Sequence, residues 1–372
     1  MKLVPDGRPP FRADHIGSLL RPAKLREAFK QHAAGTIGDA EFDRIQNEAI
    51  RDVVKLQESA GLQVVTDGEF RRASYWGRFV SLIEGFVIKE AQFKFHDDHG
   101  HESAFTAPHV VSRLKRRASS GLEEFSFVKP LTLGFGVPKI TMPAPSTMHY
   151  WRVGNWSEPG IYRDAKEFFA DLGRVYQQEI AELAAAGCLY VQLDEVALAN
   201  LCDPASRAKA KSLGADPETL VDLYVEAINE AVRNLPATMV VGVHMCRGNF
   251  KGKYLSEGGY DSVADKLFNG ARVNHFLLEY DTGRAGDFAP LRFLPKNKGV
   301  VLGLVSSKVP ELESIDVLRR RAAEAGKFVD PERLAISPQC GFASTVAGNP
   351  VTEADEMAKL RLCVDAGRAI WG

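Results

Sequence analysis

Short apolar runs rich in β-branched residues recur along the chain, and most are followed by stretches whose apolar positions fall three and four apart. A period of two alternating with a period near 3.6 predicts repeated strand–helix units that assemble a parallel sheet. The predicted strands are 15–19, 63–67, 139–143, 189–194, 239–246, 275–280, 299–306 and 334–340. Eight strands is the number that closes a (β/α)8, or TIM, barrel. Between them, 161–186 sets Phe168, Leu172, Val175, Ile180 and Leu183 on one helical face, and Gly187 supplies the stop. Segments 216–235 and 311–326 read the same way, and 352–370, with Glu353 and Asp355 in its first turn, should be the last helix. Residues 77–130 break the pattern and read as a strand-loop insertion. In a barrel such an insertion lies over the C-terminal mouth, where it could serve as a lid. No linker-like tract divides the chain, so 1–372 is expected to be one elaborated barrel.

Charge narrows the partners. Forty-seven Lys and Arg nearly balance 48 Asp and Glu, so the molecule lacks the basic field with which nucleic-acid binders neutralise phosphates. No segment approaches the ~20 uninterrupted apolar residues of a membrane span, and the start lacks the apolar core of a signal peptide. A cytoplasmic location is expected. Five scattered cysteines do not make a disulfide framework for a chain of this size and read as reduced thiols.

Two of those thiols enter the chemistry. The run VVGVHMCRGN ends a predicted strand in His244-Met245-Cys246, and strand residues two apart face the same way. Glu279 in FLLEYD and Cys340 in ISPQCGF end the next candidate strands. Together they offer an imidazole, a carboxylate and two thiolates, a set that suits Zn2+. A lone strand cysteine is usually core, and structural zinc usually takes local cysteine pairs. Four ligand types at predicted C-terminal strand ends favour a working metal instead. About three negative charges against two make such an ion a weak Lewis acid, able to bind a thiol as thiolate while leaving the sulfur nucleophilic.

The segments HMCRGN, LLEYD and ISPQCGFAS resemble, in order and spacing, the zinc-ligand segments of cobalamin-independent methionine synthase. The resemblance runs from HIGSLLRP to the Cys340 segment, weakens in the insertion, and implies the same barrel. Ile16-Gly17-Ser18 is similar to the family's first-strand segment that holds the amino-acid part of homocysteine, which points to Ser18. VVTDGEF and VQLDEVAL are similar to segments whose acids contact the substrate ammonium, implying that role for Glu69 and Asp194, with Glu195 supporting the barrel mouth. The resemblance thus implies a methyltransferase that turns homocysteine into methionine. It also shows departures. The family's second, N-terminal barrel, which helps to bind a polyglutamylated folate, has no counterpart in 372 residues, and the methyl donor stays open. Where the family has a proton-transferring histidine after its seventh strand, GLVSSK places Ser306 and Ser307. Transfer to another thiol, as in transferases joining epoxides to coenzyme M, and a non-catalytic thiol-binding role are the alternatives.

Three other features read more simply. The acid- and His-rich loop His96–Glu102 lacks an apolar frame and is expected to be a solvated turn. The basic run Arg113–Arg117, without interleaved aromatics, is expected to be a solvated face. Trp76, Trp151 and Trp156 follow strand ends and could either stack on a flat cofactor or pack in the core.

Overall fold

A computed structural model describes residue 3 and residues 7–372. Nine strands are present among them: β1 (Val64–Val65), β2 (Ile83–Glu90), β3 (Thr106–Arg116), β4 (Val137–Pro143), β5 (Tyr190–Glu195), β6 (Val240–Met245), β7 (His275–Glu279), β8 (Gly299–Val305) and β9 (Leu334–Pro338). Seven of them form one curled parallel sheet in the order β1-β4-β5-β6-β7-β8-β9. Every residue of β5 to β9 is buried, as a parallel sheet covered by helices requires.

The predicted first strand is the exception. Residues 12–19 lie between β9 and β1 and complete the ring without regular pairing. Asp14 N–H donates to Ile336 O at 2.9 Å, Ile336 N–H to Arg12 O at 3.0 Å, and Leu19 N–H to Gly68 O at 3.1 Å. The reason is that several carbonyls of this segment are taken by side chains: Gly17 O accepts from Thr66 Oγ1 at 2.6 Å and Ile16 O from Gln192 Nε2 at 2.6 Å. Gly17 adopts φ 121°, and a Cβ there would lie 2.5 Å from the Thr141 methyl group, so the close approach depends on glycine.

The helices start where side chains can cap them. Asp164 accepts from Glu167 N–H before Ala165–Ala185, Asp216 from Thr219 N–H before Pro217–Ala231, and Ser314 from Val317 N–H before Ile315–Ala325. Thr352 and Asp355 form a capping box that opens Glu353–Trp371. Two further helices, Ala23–Ala33 and Asp39–Ala60, fill the connection to β1. No helix of the described residues is long and apolar enough to cross a membrane.

Within 77–130, β2 and β3 pair as an antiparallel hairpin separate from the main sheet. The basic run 113–117 is largely the solvated face its composition suggests, with Arg113, Lys115 and Arg117 exposed, but two of its arginines meet acids. Arg116 bonds Glu179 at 2.8 Å and Glu182 at 2.7 Å, and Arg113 bonds Glu167 at 2.7 Å, so these two arginines tie the hairpin to the acidic side of helix Ala165–Ala185. Phe86 of the hairpin meets Phe168 of that helix edge-on. The connection between β2 and β3 carries Phe95 and Phe105 over the C-terminal ends of the strands, where both line a cavity.

Candidate metal centre and substrate cavity

Parallel register brings the chemistry to one level. Asp194 at the end of β5 pairs with His244 of β6, and Met245 pairs with Leu278 of β7, so Cys246 and Glu279 each lie one step beyond that last pair. Alternation turns His244 and Cys246 to the barrel interior together. Cys340 reaches the same place from the turn after β9. The donor atoms of His244, Cys246 and Cys340 all lie within 4.8 Å of one another, and all three residues are buried. The two Sγ atoms are 3.5 Å apart, against roughly 3.8 Å for two sulfurs bound tetrahedrally to one zinc at 2.3 Å.

The unpaired atoms point to the same group. His244 Nδ1 is engaged by Leu277 O at 3.1 Å, while Nε2 is buried without a partner. Burial without a partner is costly for a polar atom unless something completes it. Cys340 at hydrogen-bond range, and then burial, push the Cys246 thiol well above its ordinary value. Burial alone would lower the His244 imidazole, but the neighbouring Cys246 and Asp194 outweigh it and raise it. A cation between these groups is what would let both sulfurs ionise and let the ring bind through Nε2. The residues present therefore fit a zinc ion.

Glu279 stands somewhat apart. It is fully buried on the next strand but lies outside the group of three. Its Oε2 accepts from Arg247 N–H at 2.7 Å, and its Oε1 has no partner.

Above the metal group opens a cavity of about 360 Å3 lined also by Ser18, Glu69 and Asp194. Glu69 sits in the tight Asp67-Gly68-Glu69 turn with φ 61°, a left-handed conformation that a non-glycine residue holds only when its surroundings insist. They do insist: Asp67 Oδ1 accepts Glu69 N–H at 2.8 Å, and Arg21 donates to Glu69 O at 2.8 Å. Glu69 Oε1 accepts from Thr141 Oγ1 at 2.7 Å, leaving Oε2 buried and unpaired. Burial, and then the nearby Glu69 charge, push the Asp194 carboxyl up to about 7. Ser18 fits only because residue 341 is glycine, since a Cβ there would fall 1.9 Å from Ser18 Oγ.

Glu195 faces away from the cavity, accepting from Ser146 Oγ at 2.5 Å and Leu198 N–H at 2.8 Å. It supports the strand end, as expected from its place beside Asp194. Ser306 N–H donates to Glu313 and Ser307 Oγ to Gln339, and neither serine lines the cavity. The His96–Glu102 loop holds no group of metal donors among the described residues. Its Asp97 accepts from His99 N–H at 3.0 Å and His101 N–H at 2.9 Å. Trp76 and Trp151 line the cavity, whereas Trp156 packs against Phe168 in the core. The aromatic wall of Phe95, Phe105, Trp151 and Phe250 was not legible in sequence, because it is assembled from three separate segments. Phe105 meets Trp151 at 5.3 Å and Phe95 meets Phe250 at 5.3 Å between ring centres.

Comparison with known proteins places this arrangement. The chain matches the family described as cobalamin-independent synthase, catalytic domain, over residues 11–368. It is 38% identical over 366 residues to the uncharacterized protein YxjH of Bacillus subtilis (strain 168), covering 97% of this chain and 95% of that one. It is 30% identical over 329 residues to a methionine synthase of Pyrococcus horikoshii, covering 88% of this chain and 85% of that one. Among solved structures, one from Listeria monocytogenes assigned as a vitamin-B12-independent methionine synthase superposes with a TM-score of 0.77 at 31% identity, covering 98% and 99% of the two chains. A B12-independent methionine synthase from Shewanella sp. W3-18-1 shares the fold with a TM-score of 0.75 at 20% identity, covering 96% and 97%. With sequence match and fold agreeing over nearly its whole length, the chain belongs to the cobalamin-independent methionine synthase family, whose catalytic barrel it forms.

Proposed function

We propose that this protein is a zinc-dependent S-methyltransferase that methylates homocysteine to methionine. The observation that carries the reading is the convergence of His244, Cys246 and Cys340 at a cavity that also presents Ser18, Glu69 and Asp194. His244, Cys246 and Cys340 would hold the ion, with Glu279 supplying the fourth donor through its unpaired Oε1. Zinc bound there would supply a weakly polarising centre that keeps the substrate sulfur anionic and nucleophilic at neutral pH.

The remaining work falls to the chain itself. Glu69 and Asp194 offer carboxylate oxygens to the substrate ammonium, and Ser18 contacts its amino-acid end. Phe95 and Phe105, brought from the insertion, exclude water from the sulfur, and loss of hydration strengthens a thiolate nucleophile. Positioning would account for most of the rate, because displacement at a methyl carbon develops little charge for hydrogen bonds to stabilise. Two acids in the cavity favour an amino thiol over a sulfonate thiol, which would call for Arg or Lys there.

Replacing Cys340 by Ser is expected to remove zinc, measured by elemental analysis of the purified protein, together with methyl transfer. Full activity without metal would refute the mechanism. A donor screen with homocysteine, comparing mono- and polyglutamyl methyl-folates, methylcobalamin and simple methyl compounds, would identify the methyl source. Tight thiol binding with no transfer from any donor would favour a binding protein instead.

A further inference from the structure

Neither acid of the cavity stands by itself: each is held by a polar chain that runs back into the barrel to a basic side chain paired with a buried acid. On β4, Lys139 and Thr141 are two residues apart, so both point into the barrel. Lys139 is fully buried and pairs with Asp14 at 2.7 Å. Its ammonium also donates to Gln192 Oε1 at 2.9 Å and to His15 O. An ammonium can only donate, so the Gln192 carbonyl must face it and the amide NH2 must face the other way. That NH2 donates to Asp194 Oδ1 at 2.7 Å and to Ile16 O at 2.6 Å. The amide orientation is therefore dictated by the network.

The second chain has the same logic. Arg72 pairs with buried Glu124 and donates through Nη1 to Thr141 Oγ1 at 2.9 Å. A guanidinium also only donates, so the hydroxyl hydrogen must point onward, to Glu69 Oε1 at 2.7 Å. The Asp194 chain thus runs cation, relay, carboxylate, whereas in the Glu69 chain Arg72 Nη1 also lies 3.4 Å from Glu69 Oε1, so the cation meets that oxygen directly as well as through Thr141. Each chain engages one oxygen of an acid and leaves the other for a ligand. Glu69 Oε2 is the unpaired atom that results. Lys139, Thr141 and Gln192 do not themselves line the cavity.

We propose that Gln192 and Thr141 are positioning residues that aim Asp194 and Glu69 at an α-ammonium group, with Lys139 and Arg72 setting their polarity. The same Gln192 amide holds Ile16 O, so one side chain aligns an acid and the segment that carries Ser18. Selection of an amino thiol over a plain thiol would then reside partly in residues the ligand never touches. This rests on the proposed homocysteine reading.

The test is equilibrium binding of two thiols to the zinc-loaded protein by calorimetry, homocysteine and its des-amino analogue 4-mercaptobutanoate. Gln192→Met and Thr141→Val are expected to weaken homocysteine about tenfold each, the scale of one lost hydrogen bond to a charged group. Binding of 4-mercaptobutanoate should change less than about twofold, and Thr141→Ser, which keeps the hydroxyl, should bind homocysteine like the parent. Equal weakening of both thiols would reveal a merely structural role and overturn the proposal, as would unchanged homocysteine affinity. If the parent protein itself fails to prefer homocysteine to the analogue, the amino-thiol reading falls and takes this one with it. Zinc content and thermal midpoint of each variant establish that it is folded and loaded.

Discussion

At Asp194 the charge state is coupled to what the cavity holds. Its carboxyl, raised to about 7 by burial and by Glu69, is partly protonated at neutral pH before a ligand arrives. An ammonium ligand prefers the ionised form, so the advantage of homocysteine over 4-mercaptobutanoate should grow as pH rises from about 6 to 8. Taking the ratio of the two affinities cancels the pH dependence common to any thiol binding as thiolate. A ratio flat across that range would show that Asp194 does not meet the amino group. The same scale explains why the neighbouring acids of a DE pair differ: Glu195 spends both oxygens on Ser146 and Leu198, whereas Asp194 has only Oδ1 engaged by Gln192.

Among the elements, the β2–β3 hairpin is the one whose attachment is most open to test. It is no part of the parallel sheet, and ion pairs along helix Ala165–Ala185 help to hold it. Glu179 is the centre of that contact, since its Oε1 also accepts from Ser120 N–H at 3.0 Å and Gly121 N–H at 2.7 Å. Arg116→Met should cost about 1–3 kcal/mol in denaturant unfolding, because it strips a buried carboxylate of its guanidinium. Limited proteolysis within 83–116 should also speed up. If neither changes, the hairpin is held by its apolar face, where Phe86 meets Phe168, and the ion pairs add little.

On the scale of the whole molecule, stability carries its own pH dependence through groups remote from the cavity. Glu356 in the last helix is raised to about 8, first by burial and then by Glu353, against the pull of Leu20 N–H and Arg21. The folded protein therefore binds this proton more tightly than the unfolded chain, whose glutamate titrates near 4.3. The stability contributed by that proton is complete below the unfolded value and is lost as pH rises towards 8. Glu356→Gln, which cannot ionise, should gain thermal midpoint relative to the parent as pH is raised from 5 to 8. A constant difference between the two proteins over that range would show that Glu356 titrates normally.

Much of this was open to reading from the amino-acid order. The alternation of periods gave a parallel barrel, because strand and helix faces must be apolar wherever they are covered. Segment chemistry gave His244, Cys246 and Cys340, because donors at strand ends of one sheet are brought to one rim. Other features exist only once the chain is closed. Residues 15–19 look like a strand by composition, but carbonyls among them are claimed by Thr66, Gln192 and Lys139, so regular pairing gives way. The basic run 113–117 reads as solvated and mostly is, but that Arg116 is drawn in against Glu179 and Glu182 shows only once helix Ala165–Ala185 lies opposite. Lys139, Gln192 and Thr141 carry no local signal at all, since what they do depends on partners up to 176 residues away that only barrel closure brings within hydrogen-bond reach. Sequence determined which groups can do chemistry and at which end of the strands; tertiary structure decided which atoms of those groups remain unpaired, because hydrogen-bond satisfaction is a property of neighbours in space.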